Sequence, residues 1–537
     1  MDNNITPDAV PTLPLPPEKK ALELSRLAQM VIETFEKKQE ANHEHKMTVN
    51  PFVSKVATAY EKLRNAMEYR EDEVVLRATI ERILRRRLLL GGTAKTTAEP
   101  LVRELIWARY LPDNSVPESA SVEVEQVIDL YLQLRITVLE KHSIKLGIIN
   151  EWTYHLMSSS IEQVLTPNHE KETVANFMYQ VLQDDLVIVD DTDETRNAQM
   201  YLAVRRAFAH DDLAFLRYNL FKLYFGELKH SNIEQVSSDF LTGYKEINNQ
   251  LLYPRKDKIY SYVKKRAAVF FILEDVLREH KGHLQELFSD EERFKEVVEE
   301  ACTKRYQGIA TKVRRAIIRS VIFILFTKVM FAFLVEGTYE RLVYGRILWT
   351  SIIINTSLPP LLMVIVGFFI RTPGASNTEK IYEYNKLLLT EERPRLGSGL
   401  TIKKDQDKPD IVFNTLWAFA FILSFGSIIF VLIKLHFNPI SQFIFIFFLT
   451  IVSFLAYRIS LTATLYTVGE KQNFLTPFID FLFLPVIKVG RRLTHSISQV
   501  NFFLFLFDLF IETPFKVFFA FIERWFKFLH EKSEDLG

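Results

Sequence analysis

The chain has 537 residues, and 66 lysines and arginines balance 66 aspartates and glutamates. That neutrality excludes a chain-wide polycation for nucleic acid, and the single cysteine, Cys302, excludes a disulfide framework or a cysteine-rich zinc site. Only 17 glycines are present, which weighs against backbone loops that cradle phosphates.

Residues 1–17 read as a stiff tail, because Pro7, Pro11, Pro14, Pro16 and Pro17 favour extended backbone. The basic start and apolar core of a signal peptide are missing from this stretch. From 18 to 316 the apolar residues recur with helical period. Leu24, Leu27, Ala28, Val31 and Phe35 share one face, as do Val127, Tyr131, Leu134 and Val138, and again Leu213, Leu216, Leu220 and Leu223. Punctuation falls at Gly91-Gly92, Leu111–Pro117, Thr166-Pro167 and Asp190–Glu194. No alternating strand pattern stands out. The expectation is an all-α cytoplasmic domain with a subdivision near 111–120. Ser289 and Glu292 have capping-box spacing and predict a helix start. No proline interrupts that helix before the first apolar segment, so one rod can run from the domain into a membrane.

A polytopic α-helical membrane domain is expected at 317–460. Segments 317–335, 347–370, 411–435 and 440–456 are each apolar and long enough for a hydrocarbon layer of about 30 Å. The connector 371–410 is basic, with Arg371, Lys380, Lys386, Arg393, Arg395, Lys403, Lys404 and Lys408. Lys312, Arg314, Arg315 and Arg319 precede the first segment, and Arg458, Lys471, Lys488, Arg491 and Arg492 follow the fourth. Basic residues mark cytoplasmic flanks, so the helical domain and both termini are expected there. Trp349 and Trp417 near segment ends suit interfacial anchors.

Two signals within the membrane segments point to function. Lys328 lies mid-segment, where a charge costs a few kcal/mol and usually faces protein or water. Asn355, Thr356 and Ser357 precede Pro359-Pro360, and a double proline should break the second segment and release backbone carbonyls. Together these six residues form a candidate ligand or ion pathway at mid-membrane.

Other motifs fail on spacing. His43–Met47 places Met47 where a zincin needs its second histidine. Gly397–Ile402 lacks the third glycine of a dinucleotide loop. Asp190–Glu194 lacks the glycine and distant glutamate of a calcium loop, and reads as a helix cap. Glu279 and His283 suit a surface pair one turn apart. Arg82 and Arg85–Leu90 make a basic helical edge whose ordinary partners are intramolecular. No catalytic residue, metal site or cofactor is assigned, and nucleic acid is not an expected partner.

Residues 461–537 are expected to form amphipathic interfacial or re-entrant helices. Thr476-Pro477 and Thr513-Pro514 each place an N-cap before a first-turn proline. After Pro514, Lys516, Glu523 and Lys527 form a polar stripe beside an apolar face that includes Trp525, as in a helix lying in a membrane surface. The leading functional expectation is an integral membrane scaffold whose helical domain binds a protein partner, in a bilayer and compatible with homo-oligomers. A transporter or channel using Lys328 and the proline break comes second. A lipid-acting enzyme using Asp480, Asp508 and Glu512 comes third.

Overall fold

The computed structural model describes residues 21–37, 45–49, 51, 54–55, 57–58, 61, 75–347, 349–403, 411–469 and 476–498, together with 521, 525 and 528–529. The tail at 1–17 and the calls on Thr513, Pro514, Lys516 and Lys527 lie outside these residues. The chain is all-α with almost no strand.

The helices begin where short polar side chains can satisfy free backbone donors. Ser25 caps α1 (Arg26–Glu36), which buries Ala28, Val31 and Phe35 of the predicted stripe together with Ile32, while Leu24 and Leu27 are half-buried. After α2 (Val75–Leu89), a Thr93–Thr96 capping box opens α3 (Ala94–Trp107). Helices α4 (Ser119–Lys141) and α5 (Leu146–Leu165) follow, and Asn168 caps α6 (His169–Leu182). In the acidic run at 190–194, Thr192 caps α7 (Asp193–Val204) with Asp193 and Glu194 in its first turn, as expected. A π-turn at 205–209 leads to α8 (Leu213–Phe225), capped by Asp212, then α9 (Ile233–Leu251), α10 (Lys256–Glu279) and α11 (Leu284–Phe288).

Two cores result. Leu111, Val116 and Ala120 are all buried in one core, formed by α2–α5, α8 and α9. Met47 belongs to it too, on an extended segment whose Lys46 bridges to Pro117. The other core gathers α1, α6, α7, α10 and α11. A layer of buried ion pairs runs along the boundary. Arg77 contacts Glu81 and Asp212 at 2.6 Å each, and Arg205 contacts Asp211 at 2.7 Å and Glu172 at 2.5 Å. The basic edge of α2 faces inward on its own chain: Arg82 pairs with Glu61 and Arg86 with Glu104. Glu279 and His283 do not meet; they pair with Lys304 and Glu286.

The helix after α11 starts one residue later than the Ser289 spacing predicts. Asp290, not Ser289, accepts from the backbone of Arg293 and caps α12 (Glu291–Phe331). A π-turn at 332–337 carries α12 into α13 (Thr338–Tyr344), so helix is continuous over Glu291–Tyr344. Its 54 residues make a rod of about 80 Å at 1.5 Å per residue. Phe294, Val297, Val298, Ala301 and Cys302 bury one end in the helical core. Ile318, Ile322 and Phe326 are exposed further on, an outward apolar face that hydrocarbon would cover.

Helix α14 (Trp349–Phe369) returns antiparallel to the rod, close enough that a Cβ at Gly367 would lie 3.1 Å from Ile317. The connector is described over residues 371–403. It forms α15 (Ala375–Thr390), which buries Ile381, Tyr382, Leu388 and Leu389 in the helical core. Its last part is a strand, β2 (Leu400–Ile402), pairing in parallel with β1 (Leu186–Ile188). Helices α16 (Ile411–Lys434) and α17 (Pro439–Ala463) then form a hairpin, with Asn438 as N-cap and Pro439 at the first position of α17. Four helices are thus long and apolar enough to cross a membrane: Glu291–Tyr344, Ile352–Phe369, Ile411–Lys434 and Pro439–Ala463.

Helix α18 (Thr476–Ser498) packs on α16 and α17 rather than lying apart from them. Ser424 Oγ donates to the carbonyl of Leu482 at 2.7 Å. Gly490 meets Thr450 so closely that a Cβ there would sit 2.0 Å from the Thr450 carbonyl oxygen.

Two expectations follow. Gly490→Leu forces α17 and α18 apart and should destabilise the protein by at least about 1–3 kcal/mol, the usual scale of overpacking, measured by unfolding in detergent. The second concerns Glu162 at the boundary layer. Burial, against the opposing pull of Arg77, lifts its carboxyl from the ordinary 4.5 to about 8. The folded state therefore favours the protonated form, and this group's contribution is full below 4.5 and lost as pH rises through about 8. Melting temperature should fall with rising pH across that interval, and Glu162→Gln should flatten the slope.

Candidate functional site: a closed polar cluster among the apolar helices

Lys328, on the rod, is fully buried. Its Nζ donates to Asn355 Oδ1 on α14 at 2.7 Å and reaches Glu336 Oε1 at 3.4 Å. Asn355 Nδ2 donates to the same Glu336 oxygen at 2.6 Å and approaches the Ser441 carbonyl at 3.4 Å. The amide thus bridges ammonium and carboxylate, its Oδ1 accepting from Nζ and its Nδ2 donating to Oε1. Nζ also lies 4.8 Å from the centre of the Phe448 ring of α17, within cation–π range. One turn beyond Glu336, the buried Glu340 accepts from Asn438 Nδ2 at 2.9 Å, and Asn438 Oδ1 caps α17 at the Ser441 amide. Three helices, α12–α13, α14 and α17, therefore meet on one polar cluster.

The π-turn creates the register. Eight α-helical steps from Lys328 to Glu336 would rotate a side chain by about 80° around the axis. The wide turn at 332–337 absorbs one residue, so Glu336 returns to within about 20° of the Lys328 face.

The six residues of the expected pathway separate. Lys328 and Asn355 are in the cluster. Thr356 is partly buried, and its Oγ1 has no hydrogen-bond partner. Ser357 is exposed on the opposite face, away from the polar groups. Pro359 and Pro360 are buried, but α14 runs through both without a break. Proline is tolerated because its missing donors cost only the bonds to the carbonyls one turn back, while packing against the neighbouring helices holds the axis. The expected broken helix is thus corrected to a continuous one. Among the interface residues, Trp349 is exposed at the start of α14, and Trp417 carries Lys488 over its ring at 5.1 Å. Trp525 is exposed beside Phe528.

Glu336, Glu340, Asn438 and Ser441 escape the sequence reading, which ends the first segment at Val335. The available signal was acid at both 336 and 340, one turn apart, within a helix that no proline or cap terminates. Among the described residues no group of histidine, cysteine, aspartate and glutamate is arranged to hold a metal ion. Cavities of about 220 and 210 Å³ lie in the helical half, beside Tyr224 and Val236 and beside Gln199 and Lys256.

Fold and site together define an all-helical protein with four helices fit to cross a membrane and a polar cluster sealed among them. Comparison with known protein families, curated proteins and solved structures finds no match for this chain.

The bridge makes Asn355 the most sensitive neutral residue of the cluster. Asn355→Leu strands one donor and one acceptor at once and should cost at least about 1–3 kcal/mol, the penalty for a buried group left unpaired. Ser357→Leu, on the exposed face, should change stability by less than about 0.5 kcal/mol. Unfolding of both variants in the same detergent checks the contrast.

Proposed function

We propose that this chain is a non-enzymatic membrane scaffold whose helical half, on the cytoplasmic side, binds a protein partner. The observation that carries the reading is the triple attachment of the helical core to the apolar helices. The rod enters that core directly. The connector returns to it through α15, where Tyr382 donates to Glu291 at 3.0 Å and Lys386 pairs with the same carboxylate. The segment after α17 buries Tyr466 and Val468 in it, fixed by Asn377, which donates to the Tyr466 carbonyl and accepts from the Val468 amide at 2.7 Å each. Three connections immobilise the helical half against the apolar helices, which suits a module presented at a fixed height and orientation. The basic flanks at 312–319, 371–408 and 488–492 support the cytoplasmic placement.

The second reading is a transporter or channel. It has one observation in its favour, a lysine and two glutamates kept within the apolar helices at the cost of their desolvation. The full burial of the cluster and the unbroken α14 favour the scaffold. The lipid-enzyme reading gains nothing: Asp508 and Glu512 lie outside the described residues.

Cross-linking of the full-length protein in its native membrane tests the scaffold. A protein partner should cross-link to the lobe built from α2–α5, α8 and α9, which is the part farthest in contacts from the apolar helices. Cross-links confined to the apolar helices, or solute flux in sealed vesicles that Lys328→Met abolishes, would replace it with the transport reading.

A further inference from the structure

The cluster around Lys328 holds more acid than base, and its bonding is lopsided. Lys328, Glu336, Glu340, Asn355 and Ser441 are all fully buried. Charge-assisted nitrogen–oxygen bonds ordinarily close to about 2.7–2.9 Å. Lys328 makes such a bond to the neutral Asn355, at 2.7 Å, yet stays 3.4 Å from Glu336. Glu336 receives both its donors on Oε1, while Oε2 is buried and has no hydrogen-bond partner. Ser441 Oγ, in the same cluster, is likewise buried without a partner.

An ionised carboxylate with one bare oxygen in a low-dielectric site bears a large desolvation cost. A proton on that oxygen removes the charge and turns an unmatched acceptor into a donor. We propose that the cluster is a proton-binding site, in which Oε2 of Glu336 takes up and releases one proton. The inference stands on the cluster alone and holds whether or not the helical half binds a partner.

The surroundings of Glu336 support uptake. On its own helix the titratable neighbours are Lys328, one π-widened pair of turns back, and Tyr339 and Glu340, one turn on. A second carboxylate at that spacing opposes ionisation of the first. Helix α14 carries no titratable side chain along Trp349–Phe369, and α17 carries none from Pro439 to Ala456. Arg341 and Arg346, the nearest further cations in sequence, are exposed. Lys328 is therefore the one buried cation among the described residues that faces Glu336, and its closest contact is an amide.

Infrared difference spectroscopy on the full-length protein in lipid nanodiscs, stepped from neutral to alkaline pH, tests the proposal. The parent carries Glu162→Gln, because burial lifts that carboxyl to about 8; burial also lifts the carboxyls of Asp211 and Glu274 in the helical half, so the signal of Glu336 is read as the difference between the parent and its Glu336 variant. A carbonyl stretch of a protonated carboxylic acid should be present at neutral pH and disappear in alkali. Glu336→Gln should lower that band, and Glu340→Gln should leave it. No band in the parent, or a band whose intensity Glu336→Gln leaves unchanged, overturns the proposal. If Glu336→Gln does not fold, Glu336→Asp must shift the band, and a band that stays in place is equally decisive against it. An independent reading comes from stability at neutral pH. Glu336→Gln imitates the protonated side chain and should melt like the parent, whereas an obligate ion pair would show a large loss.

Discussion

The structure depends on one helix that must satisfy two solvents. From Glu291 to about Val313 the rod needs an apolar stripe for a protein core and polar residues elsewhere. From Ile317 onward it needs apolar residues all round, because lipid offers its backbone and side chains nothing to bond. The sequence meets both demands without a cap or proline between them, so the chain has no joint at which the two parts could swing. Everything around the rod reinforces this. Arg305, on its buried part, pairs with Asp275 of α10 at 2.5 Å and donates to the Tyr466 hydroxyl at 3.0 Å. One guanidinium thereby ties the rod to a core helix and to the chain emerging from α17.

That arrangement explains why residues 375–402 of the basic connector pack on the helical half. A linker of its composition ordinarily stays solvated. Here α1 exposes backbone donors at its start, and they find partners on the connector: the Ser25 amide bonds the Leu389 carbonyl at 2.7 Å and the Arg26 amide bonds Glu392 at 2.9 Å. Tyr382, Leu388 and Leu389 close the core from the same side. The helical half is therefore not a self-contained stretch of chain. Its core includes residues separated from the rest by two membrane-compatible helices, and removing them would open apolar surface along α1, α10 and α12.

What the sequence reveals and what it conceals divide along the range of the interaction. Period and length expose α1, α4, the rod and the four apolar helices, since each is decided by its own residues. The β1–β2 pair is invisible because three residues are too few for an alternation, and its partner lies more than two hundred positions away. The two cores are invisible for a similar reason: Leu111 and Val116 look like loop punctuation, yet both are buried in the core formed by α2–α5, α8 and α9. In the site, Lys328 is legible because a charge in an apolar run is anomalous on any reading. Asn355 is legible beside the prolines, though for a break that the helix does not make. Glu336 is not, because its place on the Lys328 face depends on a π-turn, and nothing in the composition of Ala332–Gly337 announces one.

The π-turn gives the cluster its last physical meaning. A pair set by ordinary i, i+4 spacing survives any rigid motion of its helix, since both members move together. Lys328 and Glu336 are different: they share a face only while the turn between them holds one extra residue. Without that extra residue the two members would lie about 80° apart around the axis, and the groups that Asn355 bridges would separate. Asn355 stands on α14 and Ser441 on α17, so the bridge also fixes the rotation of the rod against both neighbours. The energy of the buried cluster is thus stored across the least regular turn of an otherwise uniform helix. Its charge state and the rod's rotation constrain each other, which gives a reason for keeping ionisable groups where leucine would pack at lower cost.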